Sequence, residues 1–280
     1  SADVWAHREI FQWDRHRGRP KAVSGVPPDY FSADGQRWAT PLFDWDALRF
    51  TGYEWWKDRL KRNLEWYDWV RLDHFRGFYD YWSIPVENET AKDGRWCRGP
   101  RDDFFEEVRR QFPNFPFIAE DLGDLHSEVV AFKKRWRMPG MAVLQFAFNG
   151  PKNPYLPHNL DSDTVLYTGT HDNDTSLGWY RQTSPGEQDY ARRYLRVCGD
   201  RMGWDLIRAA YASVSRRVVV PLQDILGLGS EARINCPGIS QGNWQWRCTR
   251  SDWDRIERES AVYLNELAQI FGRCDGSEVS

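Results

Sequence analysis

The sequence predicts an α/β fold built on parallel strands, and three observations carry that prediction. Short strands alternate with amphipathic helices. Each strand is apolar nearly throughout, the pattern of a sheet covered on both faces. The 280 residues suffice for one large α/β barrel domain, which typically takes about 250.

The elements follow in order. Residues 20–45, PKAVSGVPPDYFSADGQRWATPLFDW, are rich in Gly, Pro and aromatic residues and read as a long irregular loop. Such a loop is usually functional or disordered, and this one has too many aromatics for disorder. YEWWKDRLKRNLEW (53–66) sets Trp56, Leu60 and Leu64 four apart, which predicts a helix. A strand is expected at 69–72, then a helix at 101–112, a strand at 115–120 and a helix at 125–136. Strands follow at 141–148 and 163–172, helices at 184–199 and 203–214, and a last strand at 217–226. A closing helix over 255–273 ends near Gly272. The strands number five from residue 69 onward, whereas a closed barrel of this kind needs eight.

Composition narrows the function. The net charge of -3, spread over both signs, gives no electrostatic case for nucleic acid or an anionic membrane. No apolar run approaches the roughly 18–20 residues that span a bilayer, and no secretory apolar segment opens the sequence. The 5 cysteines are scattered, with no CxxC pair, which fits a reducing cytoplasm and speaks against a zinc site. Aromatic residues are abundant: 16 Trp, 12 Tyr and 15 Phe. Rings pack cores by default. Their flat faces also suit bases and sugar rings, and without a basic excess sugar is the better expectation.

Three expected strands end in acids. Asp73 follows VRL, Glu120 and Asp121 follow FIA, and Asp172 and Asp174 follow YTGTH. Active sites of α/β barrels lie at the C-terminal ends of the strands, so these acids are expected at one mouth. An Asp after a strand is commonly the N-cap of the next helix. Here Arg71, His74 and Arg76 flank Asp73, and Asp172 lies in HDNDT. Clustered polar groups of this kind are costly without a task. Convergent carboxylates with no metal or cofactor motif point to glycoside chemistry, in which one acid attacks the anomeric carbon and another transfers the proton. Arg71 keeps Asp73 ionised in this reading. Glu120 needs a raised pKa, from burial or from neighbours such as Asp121.

The blocks RLDHFRG (71–77), AEDLG (119–123), PGMAVLQFAF (139–148) and YTGTHDNDTSLGWY (167–180) resemble those of the 4-alpha-glucanotransferases. These are the amylomaltases, or disproportionating enzymes, of glycoside hydrolase family 77. GVPPDYFSADGQRW (25–38), GSEARIN (229–235) and GNWQWR (242–247) are similar too. The resemblance implies a TIM (β/α)8-barrel and retaining transfer of alpha-1,4-glucan segments between a maltodextrin donor and acceptor, with no cofactor or metal. It implies Asp73 as nucleophile, Glu120 as acid/base and Asp172 as the acid that grips sugar hydroxyls. Arg71, His74 and His171 become partners in the mouth, where structural hydrogen bonding is the alternative. Tyr30, Phe31, Gln36 and Trp38 become glucan contacts on a loop arching over the cleft. Core packing of that loop is the alternative for Tyr30 and Phe31. Asn235 becomes a further sugar contact, with a turn-forming role as its rival. Asp174 is expected to be structural.

Proteins of this family are longer, around 500 residues. By the resemblance the five strands are barrel strands 4–8, strands 1–3 are missing, and residues 1–280 form the C-terminal part of one catalytic domain. An alpha-amylase-like hydrolase and an inactive glucan-binding fragment stand as rival readings.

Overall fold

The computed structural model of the chain describes residues 1–28, 32–123, 125–239 and 241–274. Tyr30 and Phe31 lie outside the described residues. The chain divides into two compact units, Ser1–Pro139 and Gly140–Ser280.

In the first unit, the strands Val70–Leu72 and Phe117–Ala119 pair in parallel, with Leu72 opposite Ala119. The helices Glu54–Leu64, Arg101–Gln111 and Ser127–Arg135 lie where the sequence places them. Arg101–Gln111 buries Phe104, Phe105 and Val108. Asp102 and Asp103 in its first turn and Arg109 and Arg110 in its last complement the helix dipole. In Glu54–Leu64, Leu60 is buried, with Trp56 and Leu64 packed beside the same core.

That core is aromatic. Phe75 stacks on Phe132 with ring centres 5.5 Å apart, and Phe78 on Phe104 at 5.0 Å. Full burial of one such side chain contributes about 1.5–3 kcal/mol. Much of the aromatic excess therefore stabilises the fold and is not available to a ligand.

Within 20–45 two described stretches correct the loop expected from the sequence. Ala22–Val26 and Gln36–Pro41 are antiparallel strands. With Asp80–Pro85 and Arg95–Arg98 they form a four-stranded sheet, in the order 36–41, 22–26, 80–85, 95–98. Ala22–Val26, of small and β-branched residues, pairs on both sides. Gly25 is required there, because a Cβ would lie 2.1 Å from the Gln36 carbonyl oxygen.

The second unit has a three-stranded parallel sheet, in the order 217–219, 164–167, 140–143. Gly140–Val143 is fully buried, whereas Arg217–Val219 is exposed at both end residues. The strands are shorter than expected. After Val143 a 3-10 turn, Leu144–Phe146, turns the Gln145 amide toward the Asp174 carbonyl oxygen, 2.9 Å away. After Val219, Pro221 precedes the short helix Leu222–Ile225, so 217–226 is not one strand. Proline lacks the amide that would extend a ladder. Helices Pro185–Leu195 and Met202–Tyr211 follow the expected pattern, the first opened by a Ser184–Glu187 capping box. The closing helical stretch begins earlier than expected, at Arg250, and passes through a π turn at Ile256–Ser260 into Ala261–Ile270. The cause is a Thr249–Asp252 capping box. No helix among the described residues is long and apolar enough to cross a membrane.

Candidate active site

Pairing of Leu72 with Ala119 makes Asp73 and Glu120 the next residues at the same end of one parallel ladder. The Glu120 amide donates to Leu72 O (2.9 Å), and the Phe75 amide donates to Glu120 O (3.0 Å). The Glu120 carboxylate accepts from two main-chain amides, His74 N–H (2.8 Å) and Leu122 N–H (3.0 Å). His74 reaches its place with φ 44°, in the left-handed region that side chains adopt at a cost of roughly 1–2 kcal/mol.

Burial raises the Glu120 pKa, and the Asp73 charge raises it further. The two amides and Arg71 act in the opposite direction. The sequence reading named Asp121 as a neighbour that could raise it. Asp121 is instead held by Lys133, 2.5 Å from its Nζ. The Asp73 side chain is 81% exposed, with Arg71 Nη2 3.4 Å from its Oδ1. Arg76 pairs with Asp80 at 2.8 Å and lies over the Trp96 ring.

Burial lowers the His74 pKa, which favours neutral imidazole. Its ring meets Trp38 edge-on, with centres 4.8 Å apart at 85°. The Trp38 indole N–H donates to Gln36 Oε1 (3.1 Å). Gln36 and Trp38 are thus strand residues, and their strand carries Trp38 to His74.

In the second unit, Asp172 lies in the loop between strand Thr164–Tyr167 and helix Ser176–Gln182. Asn235 Nδ2 donates to its Oδ1 (2.6 Å), and His171 Nε2 lies 3.4 Å from its Oδ2. The Asn235 side chain therefore reaches across to Asp172. Asp174 is structural, as expected: it accepts from Thr175 N, Gln182 Nε2 and Ser230 Oγ.

None of the three acids caps a helix. Thr175 caps Ser176–Gln182, and His126 occupies the cap position of Ser127–Arg135. The cap alternative is excluded for Asp73, Glu120 and Asp172 alike. Among the described residues, no three His, Cys, Asp or Glu side chains are grouped to hold a metal ion.

The family model described as 4-alpha-glucanotransferase, of glycoside hydrolase family 77, matches residues 1–252. The chain belongs to this 4-alpha-glucanotransferase family. It is 50% identical to the 4-alpha-glucanotransferase of Thermus thermophilus, an alignment covering 98% of this chain and 56% of that protein. It is 45% identical to that of Synechocystis sp., covering 98% and 54%. The amylomaltase of Streptococcus agalactiae, solved in complex with acarbose, superposes with a TM-score of 0.91 at 33% identity, covering 98% of this chain and 55% of that one. Amylomaltase of Corynebacterium glutamicum, at 18% identity and a TM-score of 0.77, shares the fold. The chain spans about half the length of the curated relatives it matches.

Two residues of this glucanotransferase-family chain escaped the sequence reading. Arg233 donates to the Asp172 carbonyl oxygen (2.8 Å) and to that of Asn235 (2.9 Å), so it ties the two segments together. Trp244 lies against His171, ring centres 5.6 Å apart. Both fall in the EARIN and GNWQWR blocks, but neither has a carboxylate beside it in sequence to mark it.

Proposed function

We propose that this chain carries the reaction centre of a 4-alpha-glucanotransferase, which moves alpha-1,4-glucan segments from a maltodextrin donor to a maltodextrin acceptor. Partial burial of Glu120 beside an exposed Asp73 is the observation that carries the reading. The first carboxyl retains a proton to higher pH, and the second is open to an incoming sugar.

Asp73 attacks the anomeric carbon while Glu120 protonates the departing glycosidic oxygen. A covalent glycosyl-enzyme and a shortened glucan result. Glu120, now a carboxylate, takes the proton from the 4-hydroxyl of an acceptor glucan. That oxygen attacks the anomeric carbon and releases Asp73. One alpha-1,4 bond breaks and one forms, with retention. Asp172 accepts hydrogen bonds from sugar hydroxyls and strengthens them in the transition state. Arg71 and His74 orient the nucleophile, and His171 and Asn235 orient Asp172. Trp38, 40% exposed, offers a ring face to the C–H face of a sugar, with Gln36 beside it, and Tyr30 and Phe31 are further glucan contacts in this reading.

In the same reading the five parallel strands are strands 4–8 of a TIM barrel, and residues 1–280 are the C-terminal part of one catalytic domain. The strand–helix alternation and the amylomaltase superposition support this. The protein acts in the cytoplasm, in keeping with five cysteines that are not disulfide-bonded.

The test is incubation of the purified chain with maltotriose, with Asp73→Asn as control. A ladder of longer maltodextrins plus glucose, absent from the control, is expected. Maltose and glucose alone indicate hydrolysis. Silence of this chain together with silence of a version extended to the full length of its relatives rejects the enzyme reading.

A further inference from the structure

Beyond the sugar-facing residues, one buried pair remains unused by the mechanism. Gln223 and Asp224 are neighbours on the short helix Leu222–Ile225, 4% and 1% exposed. Asp224 receives three donors. Thr168 Oγ1 (2.7 Å) and Ser176 Oγ (2.6 Å) donate to its Oδ2, and Ser176 N–H (2.7 Å) donates to its Oδ1. Thr168 directly follows strand Thr164–Tyr167, and Ser176 opens the next helix. The intervening residues include His171 and Asp172. Asp224 thus clamps both ends of that loop.

Gln223 holds the opposite side. Its Nε2 donates to the Ala232 carbonyl oxygen (3.2 Å), in the segment that supplies Arg233 and Asn235 to Asp172. A second tie, Ser230 Oγ to Asp174 Oδ2 (2.6 Å), joins the same two segments. A carboxylate suits the Asp224 position because every group facing it donates. Its oxygens accept all three hydrogen bonds, which oppose the rise in its pKa caused by burial and by the nearby Asp174 charge. An amide would turn its own N–H2 toward one of these donors.

We propose that Gln223 and Asp224 are positioning residues, which fix Asp172 against Asn235 by anchoring the two loops that carry them. This rests on the transferase reading only where activity is the measure. Asp224 touches no substrate and acts through Asp172.

The experiment compares the chain with Asp224→Asn, Asp172→Asn and the double variant, by maltotriose kinetics and by hydrogen exchange. Asp224→Asn is expected to lower kcat on the order of 10- to 100-fold, the range for losing a hydrogen bond to a charged group, with KM changed less than about threefold. Added to Asp172→Asn, it is expected to cost less than about twofold more, because a group acting through Asp172 has nothing left to act on. Exchange is expected to rise in 168–176 and 230–236 while helix Pro185–Leu195 stays as in the parent. Equal kinetic loss in both backgrounds, or exchange rising throughout the second unit or nowhere, overturns the proposal. If neither the parent chain nor a version extended to the full length of its relatives turns maltotriose over, the transferase reading fails on its own, and the exchange pattern still decides the brace. If Asp224→Asn does not fold, Thr168→Val removes one of the three donors and is read in the same way.

Discussion

Glu120 and Asp172 both follow the end of a parallel strand, yet the two units hold them by different means. In the first unit the main chain holds Glu120: two amides grip its carboxylate, and the ladder itself grips its backbone. In the second unit side chains hold Asp172, through Asn235, which lies 63 residues away in sequence. Glu120 is partly buried, while the Asp172 side chain is 47% exposed. A main-chain grip is set once the strand register is set. A side-chain grip depends on a remote segment arriving at the right depth, and a single substitution can release it.

The largest expected effect tests the main-chain side. Glu120→Gln keeps the shape but cannot exchange the proton, and is expected to lower kcat for maltotriose disproportionation on the order of 10²–10⁴-fold. A loss below tenfold would break the assignment of Glu120 as acid/base. Next is the side-chain grip. Asn235→Ala deletes a hydrogen bond to a charged group and is expected to reduce kcat/KM on the order of 10- to 100-fold, with the melting temperature nearly unchanged. If Asn235→Ala is as damaging as Glu120→Gln, the contrast between the two kinds of grip does not hold.

A smaller effect is expected at Trp38. Trp38→Ala removes the edge contact with His74 and one ring face, for about 0.5–1.5 kcal/mol. KM for maltotriose should rise roughly two- to tenfold while kcat changes little. A fall in kcat alone would place Trp38 in the support of His74 and not against sugar.

The finest test is a titration. Burial and the Asp73 charge both raise the Glu120 pKa. The folded chain therefore holds that proton more tightly than the unfolded chain does. The stability contributed by protonated Glu120 is full below the ordinary glutamate value and is lost as pH rises through the raised one. Asp73→Asn removes one of the raising causes, so the Glu120 carboxyl signal followed by carbon NMR should titrate at lower pH in that variant. An unmoved titration would mean that the Asp73 charge does not contribute to the shift.

Much of the site was legible because local rules govern it. Trp56, Leu60 and Leu64 fixed a helix by their spacing, and the short strands VRL and FIA followed by acids marked where strands stop. Asp73, Glu120 and Asp172 could be named from that pattern. Other features were not legible. Residues 20–45 carry Gly and Pro in loop-like density, yet Ala22–Val26 is a strand because Gln36–Pro41 lies on one side of it and Asp80–Pro85 on the other. Strand formation is decided by a partner distant in sequence, and no local rule reports the partner.

By itself the sequence determined the alternation of strand and helix, the acids at the strand ends and membership of the family. Only the tertiary structure decided which acid is the most withdrawn from solvent and what holds each one. It turned Asp121 to Lys133, brought Trp38 to His74, and aimed Arg233 and Asn235 at Asp172. The reason is physical. Periodicity and apolarity act between near neighbours in the chain, whereas burial and hydrogen-bond partnership belong to groups that meet only after the chain has folded.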